Sequence, residues 1–340
     1  METVVIPAIQ LKRLGRYDQT DVACTLGFSM SGVALRTACT EIEVEINCEY
    51  GAHSPWMGVL VDGAPVGRFP LRQGRHWYLA LAGMDPAFPH EIAIVRDSQP
   101  VPEDPAQQFI RLENVRVAGE ALPCAKPAMV IEFAGDSLTS GEGTQGPNGA
   151  HEWRMAYMSS MNTYAQMVCC ALNAEARVIS QSGWGIHAAW DGDETRCIPL
   201  IYDQICATDD SGKKPYDFAA RPADWVVINL GTNDGAPLAR LPRGERKAYR
   251  AAFYQDALAF LKQIRRLNPS AHILWAYGMC GRPLEKEVQQ AVLDAQDEKT
   301  HYLRVPRCRE DEIGSRQHPG QASHRRVAQA IVEYINTHLV

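Results

Sequence analysis

The sequence predicts an α/β protein of two parts, in which an all-β sandwich precedes a mostly parallel sheet covered by helices on both faces. Its 340 residues are enough for two domains, each with a core of its own. Residues 20–118 hold short apolar or alternating runs with little helical periodicity, which is typical of antiparallel strands. From Ala128 onward, strand-like and helix-like segments alternate, which predicts a parallel sheet. We therefore expect one domain over residues 1–122 and a second over residues 123–340.

The predicted strands of the first domain are separated by turn-rich pieces such as Tyr50-Gly51-Ala52 and Arg72-Gln73-Gly74. Ser98–Pro105 contains three prolines and predicts a surface loop, and Gly119–Pro127 is the expected linker. The strands themselves are expected at Val22–Phe28, Ile42–Ile46, Trp56–Val61, His76–Ala80, Glu91–Val95 and Phe109–Val117.

The second domain alternates five apolar runs with amphipathic helices. One helix carries Phe253, Ala257 and Phe260 on a single face, and Asn268-Pro269 is expected to end it. The five strands are expected at Met129–Phe133, Arg177–Ser180, Asp224–Leu230, His272–Tyr277 and His301–Val305.

Charge and composition argue against several kinds of partner. A net charge of −6 at pH 7 argues against a nucleic acid or an anionic membrane. No apolar run approaches the roughly 18 residues that a membrane-spanning helix needs. The amino terminus shows no basic segment followed by a long apolar stretch, so no secretory signal is expected. None of the ten cysteines forms a CxxC pair, and reduced thiols in the cytoplasm are the predicted state.

A candidate nucleophile lies at the start of the second domain. Met129–Gly143 begins as an apolar strand and turns at Ala134-Gly135 into Asp136-Ser137. Open α/β sheets bind their ligands at the carboxyl ends of the strands, which is where Ser137 falls. An isolated Gly-Asp-Ser is more often a turn or a helix cap, so the rest of the chain has to decide between the two interpretations.

Three further blocks fall where the same sheet would place its active-site loops. Gly183 follows the strand Arg177–Ser180 in a glycine-rich loop, and Asn233 follows the strand Asp224–Leu230 in Gly-Thr-Asn-Asp. His318 precedes the last predicted helix. Four such pieces in order are much harder to explain as ordinary turns than any one of them alone.

Together these residues supply what ester hydrolysis requires. Ser137 would attack the ester carbonyl, and His318 would take the serine proton and later protonate the leaving alcohol. The N–H groups of Ser137 and Gly183 and the side-chain amide of Asn233 would hold the developing oxyanion, where one donor is worth about 3–4 kcal/mol.

The four blocks resemble those of the SGNH/GDSL hydrolase superfamily. Ser137 matches in GDSLTSGEG, Gly183 in QSGWG, Asn233 in GTND and His318 in QHP. The resemblance covers the second domain and implies a flavodoxin-like, three-layer fold for it. The β-domain ahead of it, together with WAYGMCG at Trp275–Gly281, is similar to the two-domain carbohydrate esterase family 2, which implies a jelly-roll-like sandwich.

That second resemblance implies a function. The expected reaction is removal of O-acetyl groups from plant cell-wall sugars, such as xylan, mannan or glucan oligosaccharides, through a serine acetyl-enzyme. The expected partner is the acetylated oligosaccharide, and no metal or organic cofactor is implied. Two alternatives stay open: another acyl esterase or thioesterase of the superfamily, and a carbohydrate-binding protein with a disabled hydrolase domain.

Two features depart from the superfamily pattern or leave it ambiguous. Members commonly have an aspartate two or three residues before the histidine, where this chain has Arg316 and Ser315. Gly185 is an alternative oxyanion donor to Gly183, which the resemblance favours. The imidazole of His318 is oriented either by a backbone carbonyl or by one of the nearby carboxylates Glu310, Asp311 and Glu312.

Aromatic residues near the predicted site are candidates for contact with a sugar, which offers flat apolar faces as well as hydroxyl groups. Trp184 and Trp190 adjoin the predicted oxyanion loop and are the first stacking candidates, followed by Trp275. Asp136 is expected to shape the turn before Ser137 and to form hydrogen bonds around the site.

Overall fold

The computed structural model describes residues 3–207 and 214–338 of the chain. Over those residues the first domain is all β, and its strands pair with antiparallel neighbours. The strands are β1 (Thr3–Pro7), β2 (Lys12–Leu14), β3 (Cys24–Thr25), β4 (Gly32–Thr37), β5 (Glu41–Glu49), β6 (Trp56–Val61), β7 (Ala64–Pro70), β8 (Gly74–Ala82), β9 (His90–Arg96) and β10 (Phe109–Ala118).

Two five-stranded sheets of this domain enclose one core. The first has the order β1-β10-β5-β8, with β3 paired to β10, and the second has the order β2-β4-β9-β6-β7. In β5, Ile42, Val44 and Ile46 are fully buried while the glutamates between them stay partly exposed, as expected for a strand with one face on a core. The predicted strand Trp56–Val61 is confirmed. β4 and β7 are strands that the sequence does not predict, and β7 begins directly after the tight turn at Asp62-Gly63.

The second domain alternates strands and helices. Its strands are β11 (Met129–Gly135), β12 (Ala174–Ser180), β13 (Trp225–Asn229), β14 (His272–Tyr277) and β15 (Thr300–Arg304). Over the described residues its α-helices are α1 (Ser137–Ser140), α2 (Tyr164–Leu172), α3 (Gly235–Arg240), α4 (Arg246–Leu267), α5 (Glu285–Asp294) and α6 (Gln321–Asn336).

The sheet of the second domain is parallel and has the order β12-β11-β13-β14-β15. This is the flavodoxin-like order, in which the second strand of the domain is at the edge of the sheet and the first strand lies between the second and the third. Along β13, Trp225 and Val227 pack with α2 and α6, whereas Val226 and Ile228 pack with α4 and α5. These three layers, preceded by an all-β domain, confirm the predicted fold class.

The longest helix of the second domain, α4, has the apolar face and the end that the sequence predicts. Phe253, Ala257 and Phe260 are buried on one face of α4, and α4 ends at Leu267, before Asn268-Pro269, as predicted. No helix within the described ranges combines the length and the apolar character that crossing a bilayer requires.

A buried ion pair joins the two domains. Arg16, which follows β2, donates to both carboxylate oxygens of Glu132 in β11, at 2.7 and 3.2 Å. The Tyr202 hydroxyl donates to the same carboxylate at 2.6 Å. Both charged side chains are almost fully buried, so removal of either would leave the other charge uncompensated in the interior.

Part of the predicted surface loop Ser98–Pro105 is in fact buried. Ser98, Gln99 and Val101 are enclosed because the chain after β9 lies against the second domain. There the Asp97 carboxylate accepts hydrogen bonds from the Ser159 hydroxyl at 2.8 Å and from the Met161 N–H at 3.0 Å. The prolines indicate a loop correctly, but its burial depends on where the two domains meet. The domain boundary between residues 122 and 123 stays a prediction.

Candidate active site

Ser137 is the first residue of α1, just beyond the carboxyl end of β11. The chain turns at Gly135, where an added Cβ would lie 1.9 Å from Thr139 Oγ1, so a side chain does not fit there. The Asp136 carboxylate accepts the Leu138 N–H at 3.0 Å and caps the helix. These contacts hold Ser137 in a fixed position at the edge of the sheet, with 6% of its surface exposed.

His318 contacts the serine directly. Its Nε2 lies 2.9 Å from Ser137 Oγ, and its Nδ1 lies 2.9 Å from the backbone carbonyl oxygen of Arg316. Because a carbonyl oxygen can only accept, Nδ1 carries the proton and Nε2 accepts the serine hydroxyl. This is the tautomer that a general base next to a serine requires.

The turn that presents this carbonyl has an unusual backbone. Arg316 and Gln317 have φ values of +53° and +58°, which places two consecutive non-glycine residues in the left-handed region. Hydrogen bonds from the Arg316 N–H to Ala150 at 2.7 Å and from the Gly314 N–H to His318 at 2.8 Å hold the turn closed. Tertiary contacts therefore maintain a conformation that costs about 1–3 kcal/mol for each such residue.

The carboxylates that the sequence offers as alternatives have other surroundings. Glu312 forms an ion pair with Arg326, whose Nε lies 2.8 Å from it, and Glu310 and Asp311 are exposed. The backbone carbonyl is thus the group that meets Nδ1 in this structure.

A different carboxylate, Glu142, lies beside the imidazole. Its Oε1 is 3.8 Å from His318 Nδ1 and 2.9 Å from Arg316 Nε, and the residue is buried. At the adjacent Gly143, an added Cβ would lie 2.7 Å from His318 Cβ, so the two loops can meet only because this position has no side chain. Glu142 therefore connects the loop after Ser137 to the turn that orients the histidine.

The loop after β12 and the turn at Ser137 each carry a backbone N–H group that the sequence predicts as an oxyanion donor. Over the described residues, neither the Ser137 N–H nor the Gly183 N–H has a protein acceptor. Gly183 has a φ of +82°, and an added Cβ would lie 2.8 Å from the Trp190 ring. Gly185 is buried against Ala188, whereas Gly183 is half-buried, so the geometry favours Gly183 as the donor that a ligand can reach.

Asn233 joins this loop to the serine turn. Its side-chain nitrogen donates to the Trp184 carbonyl at 2.8 Å and to the Asp136 carboxylate at 3.3 Å. The first contact is short and the second is long, so one of the two amide hydrogens is only weakly bound within the protein. The amide therefore lies between the residue after Gly183 and the residue before Ser137.

Two buried carboxylates, Asp234 and Asp136, accept backbone N–H groups of the loops that form the site. Asp234 accepts the N–H groups of Ile186 at 3.1 Å, His187 at 2.7 Å and Ala188 at 3.0 Å, which holds the loop that begins at Gly183. Burial raises the pKa of Asp234. Burial also raises the pKa of Asp136 to about 7, and the nearby charge of Asp234 adds to this shift.

The aromatic candidates have different environments. Trp275 is fully buried and donates its Nε1–H to Leu230, so the prediction that it stacks on a sugar is wrong. Trp184 belongs to the core with 7% of its surface exposed, and its ring offers no stacking face either. Asp136 is likewise enclosed, and its observed contacts shape the turn, leaving no surface for substrate. Trp190 is 51% exposed beside Gly183 and stays a candidate.

Sequence reasoning missed two of the groups that build this site. Asp234 is adjacent to Asn233 in the Gly-Thr-Asn-Asp block, and that adjacency is a signal that could have revealed it. Glu142 lies within GDSLTSGEG, but its distance to His318 depends on the packing of two loops far apart in the chain. A local pattern contains no information about that distance.

Fold and site together define a class of protein: a serine hydrolase on a flavodoxin-like sheet, with its serine and histidine in contact at the carboxyl edge. Residues 133–334 match the GDSL-like lipase/acylhydrolase family. The chain belongs to this family and is a serine esterase.

Solved structures and a curated sequence resemble the whole chain. An acetyl xylan esterase from the rumen bacterium Butyrivibrio proteoclasticus is 26% identical, with a TM-score of 0.93 over 100% of this chain and 99% of that one. A family two carbohydrate esterase from Clostridium thermocellum, in complex with cellohexaose, shares the fold at 24% identity, a TM-score of 0.82 and 99% coverage of both chains. A cellulase/esterase of Acetivibrio thermocellus is 27% identical over 96% of this chain, which spans 39% of that protein's length.

Proposed function

We propose that the protein is a carbohydrate O-acetyl esterase that removes acetyl groups from plant-polysaccharide oligosaccharides of the xylan, mannan or glucan type. The observation that carries the proposal is the 2.9 Å contact between Ser137 Oγ and an imidazole whose other nitrogen is bound to a carbonyl oxygen. This contact also disfavours the alternative of a disabled hydrolase domain, because the two groups are already arranged for proton transfer.

The proposed reaction begins when Ser137 Oγ attacks the acetyl carbonyl carbon while His318 Nε2 takes the hydroxyl proton. The Arg316 carbonyl accepts the Nδ1–H and stabilises the imidazolium that forms. The negative charge on the former carbonyl oxygen is held by the N–H groups of Ser137 and Gly183 and by the amide of Asn233.

Collapse of this tetrahedral intermediate breaks the bond to the sugar oxygen, which leaves with the proton from Nε2. The product is an acetyl ester of Ser137. Water then attacks this ester while Nε2 takes one of its protons. When the second tetrahedral intermediate collapses, Nε2 returns that proton to Ser137 Oγ, and acetic acid, which ionises to acetate, is released from the free serine. Each of these steps uses side chains and backbone groups of the chain.

Three observations support an acetylated carbohydrate as the substrate. The acetyl xylan esterase that resembles this chain aligns over its whole length, including the β-domain, at 26% identity. The structurally similar family two carbohydrate esterase is described with a cello-oligosaccharide. Trp190, next to the proposed oxyanion loop, exposes half of a large aromatic surface on which a sugar ring can stack.

Activity on an acetylated oligosaccharide mixture tests the proposal. Mass spectrometry before and after treatment should show successive losses of one acetyl group, and short acyl esters should react faster than acyl-CoA or long-chain esters. Ser137→Ala and His318→Ala should each lower kcat about 10⁴-fold or more, and the double variant should lose little beyond either one, because the residues act as a unit. Ser270→Ala, at an exposed position, is the matched control.

Two outcomes would contradict the proposal. One is a wild-type protein that leaves acetylated oligosaccharides intact but hydrolyses thioesters or long-chain esters. The other is deacetylation that persists unchanged in Ser137→Ala. A cytoplasmic location is also proposed, and activity measurements on cytosolic and extracellular fractions of the source cells would test it.

A further inference from the structure

We propose that the β-sandwich domain positions the oxyanion loop of the hydrolase domain through one side chain, Gln99. Gln99 is then a positioning residue for catalysis, and the sandwich contributes to the chemical step. This inference rests on the proposed function, in which the Gly183 N–H stabilises the oxyanion.

The key contact crosses the interface between the two domains. Gln99 Oε1 accepts the backbone N–H of Ser182 at 2.8 Å. Gln99 follows β9 of the sandwich and is 96% buried, with 4% of its surface exposed. Ser182 directly precedes Gly183, so the sandwich binds the chain one residue before the proposed oxyanion donor.

The sandwich holds Gln99 rigidly. Arg96, which is fully buried, donates to the carbonyl oxygens of Ser98 at 3.0 Å and Gln99 at 3.2 Å, and also to Leu26 at 3.0 Å. A guanidinium with several donors in a fixed plane is well suited to fix the path of a loop. Its hydrogen bond to the Gln108 side chain adds a further anchor inside the sandwich.

The hydrolase domain supplies further contacts of the loop, in addition to the bond from Asn233 to the Trp184 carbonyl at 2.8 Å and the bonds to Asp234. The Gln181 N–H donates to Gly135 at 3.3 Å, the Trp184 N–H donates to Gln181 at 3.3 Å, and the Trp190 N–H donates to Gly183 at 2.9 Å. The first two are at the long end of the hydrogen-bond range, whereas the bond from Ser182 to Gln99 is short. Loss of Gln99 therefore removes a short bond from the segment whose peptide planes set the direction of the Gly183 N–H.

The chain offers a matched control on another part of the interface. Gln166 in α2 is also a buried glutamine, and its Nε2 donates across the interface to the Gly63 carbonyl at 2.9 Å. Substituting either glutamine by methionine keeps the side-chain length and removes one hydrogen bond between the domains. Only Gln99 contacts the oxyanion loop.

The experiment compares Gln99→Met, Gln99→Asn and Gln166→Met in steady-state kinetics with a chromogenic acetate ester, alongside their Tm values. Both Gln99 variants should lower kcat about tenfold or more with KM changed less than about twofold, because the lost interaction acts on the transition state. Gln166→Met should keep kcat within about twofold of the wild-type value, while it lowers Tm by about as much as Gln99→Met does.

A double-mutant cycle separates positioning from general weakening of the fold. Gly183→Ala strains the same loop. The double variant Gly183→Ala/Gln99→Met should therefore have a kcat within about twofold of that of Gly183→Ala alone. If the wild type is active and Gln99→Met has the same kcat as Gln166→Met, the inference is overturned while the proposed function stands. Fully multiplicative effects of Gln99→Met and Gly183→Ala on kcat would overturn it in the same way. An inactive wild type would instead contradict the proposed function.

Discussion

Imidazole groups lie at both edges of the parallel sheet, one at the carboxyl edge and a cluster at the amino edge, and their partners differ. At the carboxyl edge, His318 lies between a serine hydroxyl and a backbone carbonyl, at 2.9 Å from each. At the amino edge, His272 stacks on Trp225 with ring centroids 4.6 Å apart, and His301 stacks on His272 at 5.6 Å. His338 lies 4.9 Å from His301 and completes this second group.

The comparison shows that a cluster of histidines is not by itself a site. At the amino edge the rings of His272 and His301 stack, with a long 3.4 Å contact between their nitrogens, whereas His318 has a separate polar partner at 2.9 Å from each nitrogen. The ionisable groups at the two edges also differ in the direction in which burial shifts their pKa values. Carboxylates with raised pKa support the carboxyl edge, and histidines with lowered pKa occupy the amino edge. These groups should therefore respond to pH in opposite directions.

The largest effect is expected from Asp136. Burial raises its pKa from the usual 3.8 to about 7, so between these values the unfolded chain is ionised while the folded carboxyl keeps its proton. Rising pH therefore removes stability, by at most about 1.4 kcal/mol per pH unit, and the contribution is complete only below the unfolded pKa. Asp136→Asn retains a capping side chain and should remove this slope.

Urea denaturation of wild type and Asp136→Asn at several values between pH 4 and pH 8 measures this difference directly. The free energy of unfolding of the wild type should fall relative to that of the variant as pH rises. A constant difference between the two proteins across this range would show that Asp136 ionises normally.

The next effect concerns Glu142. Glu142→Gln removes the charge that holds Arg316 and should loosen the turn whose carbonyl orients His318. We expect kcat to fall about tenfold, since small misplacements of a catalytic group are costly. Glu310→Gln, at one of the exposed carboxylates that the sequence offered, is the control and should leave kcat unchanged. Equal activity of the two variants would show that the ion pair does not serve the site.

The smallest effect is expected at the amino edge. Burial, together with the charges of His338 and Arg265, lowers the pKa values of His272 and His301, while Asp297 acts in the opposite direction. The unfolded chain therefore takes up protons first, and stability is lost as pH falls below about 6.5.

The double variant in which both rings become glutamine should be less sensitive to acid between pH 6.5 and pH 5, with esterase activity retained. Thermal denaturation at both pH values checks this expectation. A loss of activity without a loss of stability would contradict the distinction between the two edges.

Much of this arrangement could be predicted because its signals are local. Strand β11 and the turn at Asp136-Ser137 together occupy nine consecutive residues, and parallel topology then places Asn233 at the same edge. The contacts of Gln99 and Glu142 could not be predicted, since each depends on how distant segments pack. The prediction for Trp275 failed for a related reason: Trp275 lies within β14, and helices cover both faces of that strand, so a ring on either face is buried.

The Arg16–Glu132 pair has a consequence for how this architecture can be inherited. Glu132 lies inside the hydrolase sheet, yet its counter-ion comes from the sandwich. Recombination that transferred the hydrolase alone would leave an anion enclosed without its cation, a defect that costs several kcal/mol. The sandwich and the hydrolase domain should therefore be inherited together, and we expect them to unfold in a single cooperative transition.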